Sequence, residues 1–335
     1  MNIMEEIMKK ARECPKVIVL PEAEDERILK AAEISVKEKI AYPVLLGDEN
    51  DIQKKAAEIG VELKGLKIIN PKDSPDLDRY VSLYCKIRES KRINERIAKR
   101  ILSKNLYFGA MMVRAGDADG MVAGAINLSA SVIRAGGLII ELQKDISVPS
   151  SFFVMDIPNF EGGENGVLIF ADAAVNPDPD ASQLADIAIA SARSAKTLLG
   201  WEPRVAMLSF STKGSAYHAL TRKVVEATEI AKKKAPDLLI DGELQADAAI
   251  VPEVAKRKVK EESPVAGRAN VLIFPDLNAA NIAYKLVQHT ANAAAYGPIL
   301  QGFRRPISDL SRGAKVNDIV GAIAIVCIEA RGEYE

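Results

Sequence analysis

Residues 167–211, VLIFADAAVNPDPDASQLADIAIASARSAKTLLGWEPRVAMLSFS, hold the fold in miniature. A short apolar run, 167–173, breaks at a turn made of Asn, Pro and Asp. A helix pattern over 182–199 follows, and a second apolar run, 205–211, comes after it. Runs this short, apolar on both faces and bounded by turn residues, read as buried strands. Joined through a helix, they imply a parallel crossover. The rhythm continues in both directions: 17–20, 43–47, 120–125, 151–157 and 270–275 read as strands, and 25–39, 131–143 and 217–233 as helices. An apolar helix pattern over 319–330 closes the series. The expected class is α/β, with mainly parallel, doubly wound sheets covered by helices on both faces.

A chain of 335 residues exceeds the size at which one core usually keeps growing, so two domains are expected. The net charge of −1, with both signs interspersed, offers no one-sided basic field, which argues against nucleic-acid and membrane-surface partners. The basic run 256–260 is answered at once by Glu261 and Glu262 and reads as a solvated end. No stretch of 18 apolar residues appears, and the opening MNIMEEIMKKARE is an amphipathic helix pattern without an apolar signal core. Cys14, Cys85 and Cys327 are too few and too scattered for a disulfide framework or a metal site. The expected setting is cytoplasmic.

Dinucleotide, P-loop, zinc-hydrolase and nucleophile-elbow motifs are all missing, and His218 and His289 are the only histidines. Chemistry concentrates instead at 297–318, GPILQGFRRPISDLSRGAKVND, where Arg304, Arg305, Ser311 and Arg312 lie between two turns. A Ser–Arg–Gly turn at the mouth of a helix suits a small anion, though a surface loop with solvated arginines reads the same way. Ser311 can be a turn residue, a nucleophile or a hydrogen-bond donor; nucleophilic serine needs an adjacent base, and no histidine is near it in the sequence. Asp318 falls in the first turn of the last helix, where the helix dipole stabilises a carboxylate. Arg88, in KIRESKR, and Arg134, in SASVIRAGG, read as surface charges when taken alone. The turn 211–215, STKGS, is either an anion nest or an N-cap turn. Asp241, Glu243 and Asp247 form a weak metal pattern; Cys85 could sit beside Arg88, and Cys327 reads as core.

The wording of 297–318 resembles the phosphate acetyltransferase family. So do STKGSA at 211–216, DGELQADAAIVPEVA at 241–255, PVAGRANVLIFPDLNA at 264–279, SFF at 151–153 and NIAYK at 281–285. The resemblance spans nearly the whole chain and is strongest after residue 150. It implies two α/β domains, residues 1–147 plus 298–335 and an insert at 148–297, with an active-site cleft between them. It implies reversible acetyl transfer between coenzyme A and phosphate, by direct thiolate attack in a ternary complex. In that pattern Asp318 is the base for the thiol, Ser311 steadies the acyl group and Arg312 holds phosphate. Arg88 and Arg134 bind phosphate or coenzyme A, with Ser129 as a further contact. Coenzyme A, acetyl phosphate and phosphate are the substrates; no metal or tightly bound cofactor is expected, and the protein is expected to be a homodimer.

A thiol near pKa ~8.5 and an aspartate near ~4 leave a gap of about 6 kcal/mol for proton transfer. Burial of Asp318, cationic stabilisation of the thiolate, or both must close it. Two departures stand out. Phe160, in MDIPNF, occupies a position where some members carry cysteine, and His289 stands where arginine is common. The alternatives are a phosphate butyryltransferase, a non-catalytic acyl-CoA sensor, and a β-decarboxylating dehydrogenase whose metal and nicotinamide motifs are not visible here.

Overall fold

The computed structural model describes residues 3–89 and 93–332. The chain forms two compact units, Met1–Leu142 with Phe303–Glu335, and Gln143–Gly302.

The first unit is built on five strands: β1 (Lys16–Leu20), β2 (Ala41–Leu46), β3 (Lys67–Ile69), β4 (Gly120–Ala123) and β11 (Ile307–Asp309). Their order is β11-β4-β1-β2-β3, and every pairing is parallel. Strands buried on both faces require helices on both sides. The helix Val316–Glu329 packs on β4 and β1 and against helices Ile3–Glu13 and Glu26–Lys37, the latter also packing on β2, and the helix Asn105–Ala115 packs on β4 and β1 as well. Gly120 permits the close approach of the last helix, because a Cβ there would lie 2.3 Å from Val326 Cγ1. Asp25 caps the helix Glu26–Lys37 by accepting from the Arg27 backbone N–H at 2.8 Å. The chain order reverses between β1 and β4, and the segments leaving those strands emerge side by side at their C-terminal ends.

The second unit has six strands, β5 (Ser150–Asp156), β6 (Val167–Ala171), β7 (Arg204–Leu208), β8 (Leu239–Leu244), β9 (Val271–Ile273) and β10 (Ala294–Gln301), in the order β10-β5-β6-β9-β7-β8. The pairs among β6, β9, β7 and β8 are parallel, with the helix Ala181–Ser194 crossing from β6 to β7 as the sequence rhythm predicts. Only β5 runs the other way, antiparallel to both β10 and β6. The reason lies in the connection: residues 157–166 contain no helix, and ten residues cannot carry a parallel crossover. β10 spans the expected domain boundary at 297/298, with a register shift between Tyr296 and Ile299, and Pro298–Gly302 stay with this unit.

Candidate active site

All six residues singled out from the sequence belong to the first unit. Its parallel strands deliver three connecting segments to one edge: residues 21–27 after β1, 124–129 after β4, and 310–315 after β11.

The segment after β1 reads PEAEDER. Glu22 is fully buried, and its carboxylate accepts from the backbone N–H groups of Ala125 (2.8 Å), Ile126 (3.2 Å) and Asn127 (2.7 Å) and from Asn127 Nδ2 (2.8 Å). Four donors satisfy a buried charge that would otherwise be costly. Arg27 donates through Nη1 to the carbonyls of Arg312 and Ala314, both at 2.8 Å. Through Nη2 it reaches Asp25 at 2.6 Å and the Ala125 carbonyl at 3.2 Å, and through Nε it reaches Asp25 at 3.0 Å. The Arg27 guanidinium holds the Asp25 carboxyl below its ordinary range.

Gly124 turns the chain after β4 with φ +109°, and a Cβ there would sit 2.4 Å from Asp309 Oδ1. Asp309 ends β11. Burial pushes its carboxyl up to about 6, against a hydrogen bond from Ser129 and with Glu22 adding to the rise. Asp309 Oδ1 has no hydrogen-bond partner among the described residues. Ser311, Arg312 and Gly313 are exposed while Ala314 is buried, so this turn presents its side chains outward from an anchored backbone. Gly313 N–H donates to Ser311 Oγ at 3.3 Å, and accepting there leaves the hydroxyl proton free to act as a donor.

Asp318 lies in the first turn of the helix Val316–Glu329, and its Oδ2 accepts from Lys315 N–H at 2.8 Å. Asp318 is exposed at the start of this helix. Arg134 is exposed near the end of the helix Ser129–Ala135. Arg88 caps the C-terminus of the helix Leu77–Ile87, a favourable place for a cation, and its Nε is buried without a partner among the described residues. That orphaned donor is what an anion would satisfy. Ser90, Lys91 and Arg92 of KIRESKR lie outside the described residues.

Hydrogen bonds therefore connect Ser129 to Asp309, and the Ser311–Arg312 turn to Arg27; Asp318 follows that turn by one helix start. No bond joins Arg88 or Arg134 to this group among the described residues. Glu22, Asp25, Arg27 and Asp309 were missed from the sequence. The available signal was a charged string placed directly after a buried strand, with Asp309 two residues before Ser311.

In the second unit the open readings resolve toward packing. Within STKGS, Gly214 N–H donates to Glu243 at 2.8 Å, Thr212 N–H to Ser215 Oγ at 3.0 Å, and Ser215 N–H to the Thr212 carbonyl at 3.1 Å. The amides of Thr212, Gly214 and Ser215 are thus engaged by internal acceptors, one of them the Glu243 carboxylate. Lys213 and Ser263 hold Asp241 at 2.5 and 2.6 Å; burial raises this carboxyl, but those bonds outweigh it and the net shift is downward. Lys258 pairs with Asp247 at 2.7 Å. Phe160 packs against the core of this unit, and His289 is exposed on the helix Leu277–Thr290. In the first unit Cys327 is buried core, its thiol pushed up to about 12 by burial.

The phosphate acetyl/butaryl transferase family model matches residues 2–327. The chain belongs to this family. It is 54% identical to phosphate acetyltransferase of Thermoanaerobacterium thermosaccharolyticum, across 99% of this chain and 100% of that protein. It is 49% identical to phosphate acetyltransferase of Acetivibrio thermocellus, across 99% of each chain. A crystal structure of a phosphotransacetylase from Streptococcus pyogenes superposes with a TM-score of 0.92 at 40% identity, again across 99% of each chain.

Proposed function

We infer that this chain is a phosphate acetyltransferase, moving an acetyl group reversibly between coenzyme A and inorganic phosphate. The observation that carries the reading is full-length identity of 54% to a protein of that activity. In the direction of thioester synthesis the sulfur–carbon bond forms as the bond between the acetyl carbon and the phosphate oxygen breaks. Phosphate leaves with the electron pair, and the thiol proton passes to the Asp318 carboxylate. Ser311 donates to the acyl oxygen as it gains charge, which is the interaction that counts most in such a transition state. Arg312 receives the phosphate through its guanidinium fork, with Arg88, Arg134 and Ser129 holding further phosphate or coenzyme A oxygens. Both substrates are bound together, so positioning contributes much of the rate. Coenzyme A enters as a substrate, and no tightly bound cofactor takes part in the steps described.

We place the enzyme in the cytoplasm as a homodimer. Ile282 and Leu286, 58% and 57% exposed on one side of the helix Leu277–Thr290, are apolar side chains that a second copy would cover. The test of function is to incubate the purified chain with acetyl phosphate and coenzyme A and follow thioester absorbance. Thioester formed at enzyme-dependent rates is the expected result; none formed, with the protein folded and monodisperse, overturns the reading.

A further inference from the structure

We propose that Arg27 is a positioning residue of the acyl-transfer site, which orders the turn carrying Ser311 and Arg312 without touching substrate. The proposal rests on the acyl-transfer reading above, because the turn it orders is the one assigned to the acyl and phosphate groups.

The argument is a count of hydrogens. An arginine side chain has five N–H donors in a fixed plane. In Arg27 the two on Nη1 go to the carbonyls of Arg312 and Ala314. The two on Nη2 go to Asp25 and to the Ala125 carbonyl, and the one on Nε goes to Asp25. None remains to bind a phosphate, and the charge is already paired with Asp25 at 2.6 Å. Arg27 thus differs from Arg312 and Arg134, whose side chains are exposed at this edge of the sheet.

What Arg27 does bind is backbone. The turn 311–313 is exposed, so little core packing fixes it, and two carbonyl contacts from one rigid plane set the angle at which Ser311 and Arg312 leave the chain. The third carbonyl, that of Ala125, belongs to the loop whose amides Glu22 holds from the other side. One segment, residues 21–27, therefore ties the loop bearing Ser129 and the turn bearing Ser311 and Arg312 to a common anchor. A lysine cannot reproduce this arrangement, since its ammonium is a point donor on a flexible stem.

The test uses the full-length chain with Arg27→Lys, Arg312→Lys and the double variant. Arg27→Lys is expected to lower kcat by about 10- to 100-fold, the cost of a misplaced site, with KM for either substrate changing far less. If Arg27 acts through the turn, its loss adds little once Arg312 is already changed, so the double variant should match Arg312→Lys alone. Multiplicative losses, or native kcat in Arg27→Lys, would overturn the proposal. A rise in KM for one substrate with kcat kept would assign Arg27 to substrate contact instead. Hydrogen exchange supplies a readout independent of activity. Amides in peptides covering 310–316 should exchange at least about tenfold faster in Arg27→Lys while those of the helix Asn105–Ala115 stay unchanged. Unchanged exchange in the turn sinks the proposal even if the native chain proves to catalyse another reaction, whereas a native chain that transfers no acetyl group sinks the functional reading alone.

Discussion

At the scale of single residues, one substitution separates the capping contact of Asp318 from the general-base role proposed for it. Its Oδ2 receives the Lys315 N–H at the start of the last helix, a capping contact that asparagine can also make through its amide oxygen. General-base action requires the carboxylate itself. Asp318→Asn is therefore expected to leave the thermal unfolding midpoint nearly unchanged and to lower kcat by about 10²-fold or more, within the range for a positioned base. Steady-state kinetics beside a melting curve decide it; a large drop in midpoint with kcat preserved would make Asp318 a cap and nothing else. Ser311, Arg312 and Asp318 are proposed for the site from their wording in the chain. Arg27 was not legible there, because its meaning comes from acceptors 285 and 287 residues away.

At the scale of elements, the helix Val316–Glu329 is the clearest case of sequence and burial pulling apart. Its apolar run was read directly, yet it ends in Glu329, which is 4% exposed and pushed up to about 8 by burial. A carboxyl whose folded pKa is raised above 4.5 binds its proton more tightly in the native state. Its contribution is full below the unfolded value and is lost as pH rises through about 8. Glu329→Gln should flatten that loss: the variant and native chain melt alike near pH 4, and the variant melts higher near pH 9. Equal midpoints at both pH values would show that Glu329 is solvated or paired on folding. The strand reading failed in a related way. β11 and β3 have three residues each, too short for periodicity to register, and β8 carries Asp241 and Glu243 inside an otherwise apolar run.

For the whole molecule, the prediction concerns substrate and order of binding. Relatives at 54% and 49% identity are named for the acetyl reaction, so acetyl phosphate should be preferred over butyryl phosphate. Each added methylene in a pocket shaped for acetyl is worth roughly 1–3 kcal/mol of discrimination. Equal kcat/KM values for the two acyl phosphates would sink the acetyl assignment. Direct transfer also requires intersecting initial-rate plots; parallel lines, or an acetylated protein isolated after acetyl phosphate alone, would favour an acyl-enzyme. Phe160, partly buried against the core of its unit, offers no thiol for an acyl intermediate at that position.

By itself the sequence determined the alternation of strand and helix, the mainly parallel character of both sheets and the need for two units, and it singled out the turn to which the chemistry is assigned by proposal. These follow from local periodicity and from residues adjacent in the chain, which act over a few ångströms of backbone. Tertiary structure alone decided the order β11-β4-β1-β2-β3, the reversal of β5, and the meeting of Glu22, Arg27, Ser129 and Asp309 at one sheet edge. Periodicity states which face of a strand is buried but not which strand lies beside it. Parallel pairing then brings the C-terminal ends of β1, β4 and β11 together, and only there can one guanidinium reach carbonyls from two distant loops.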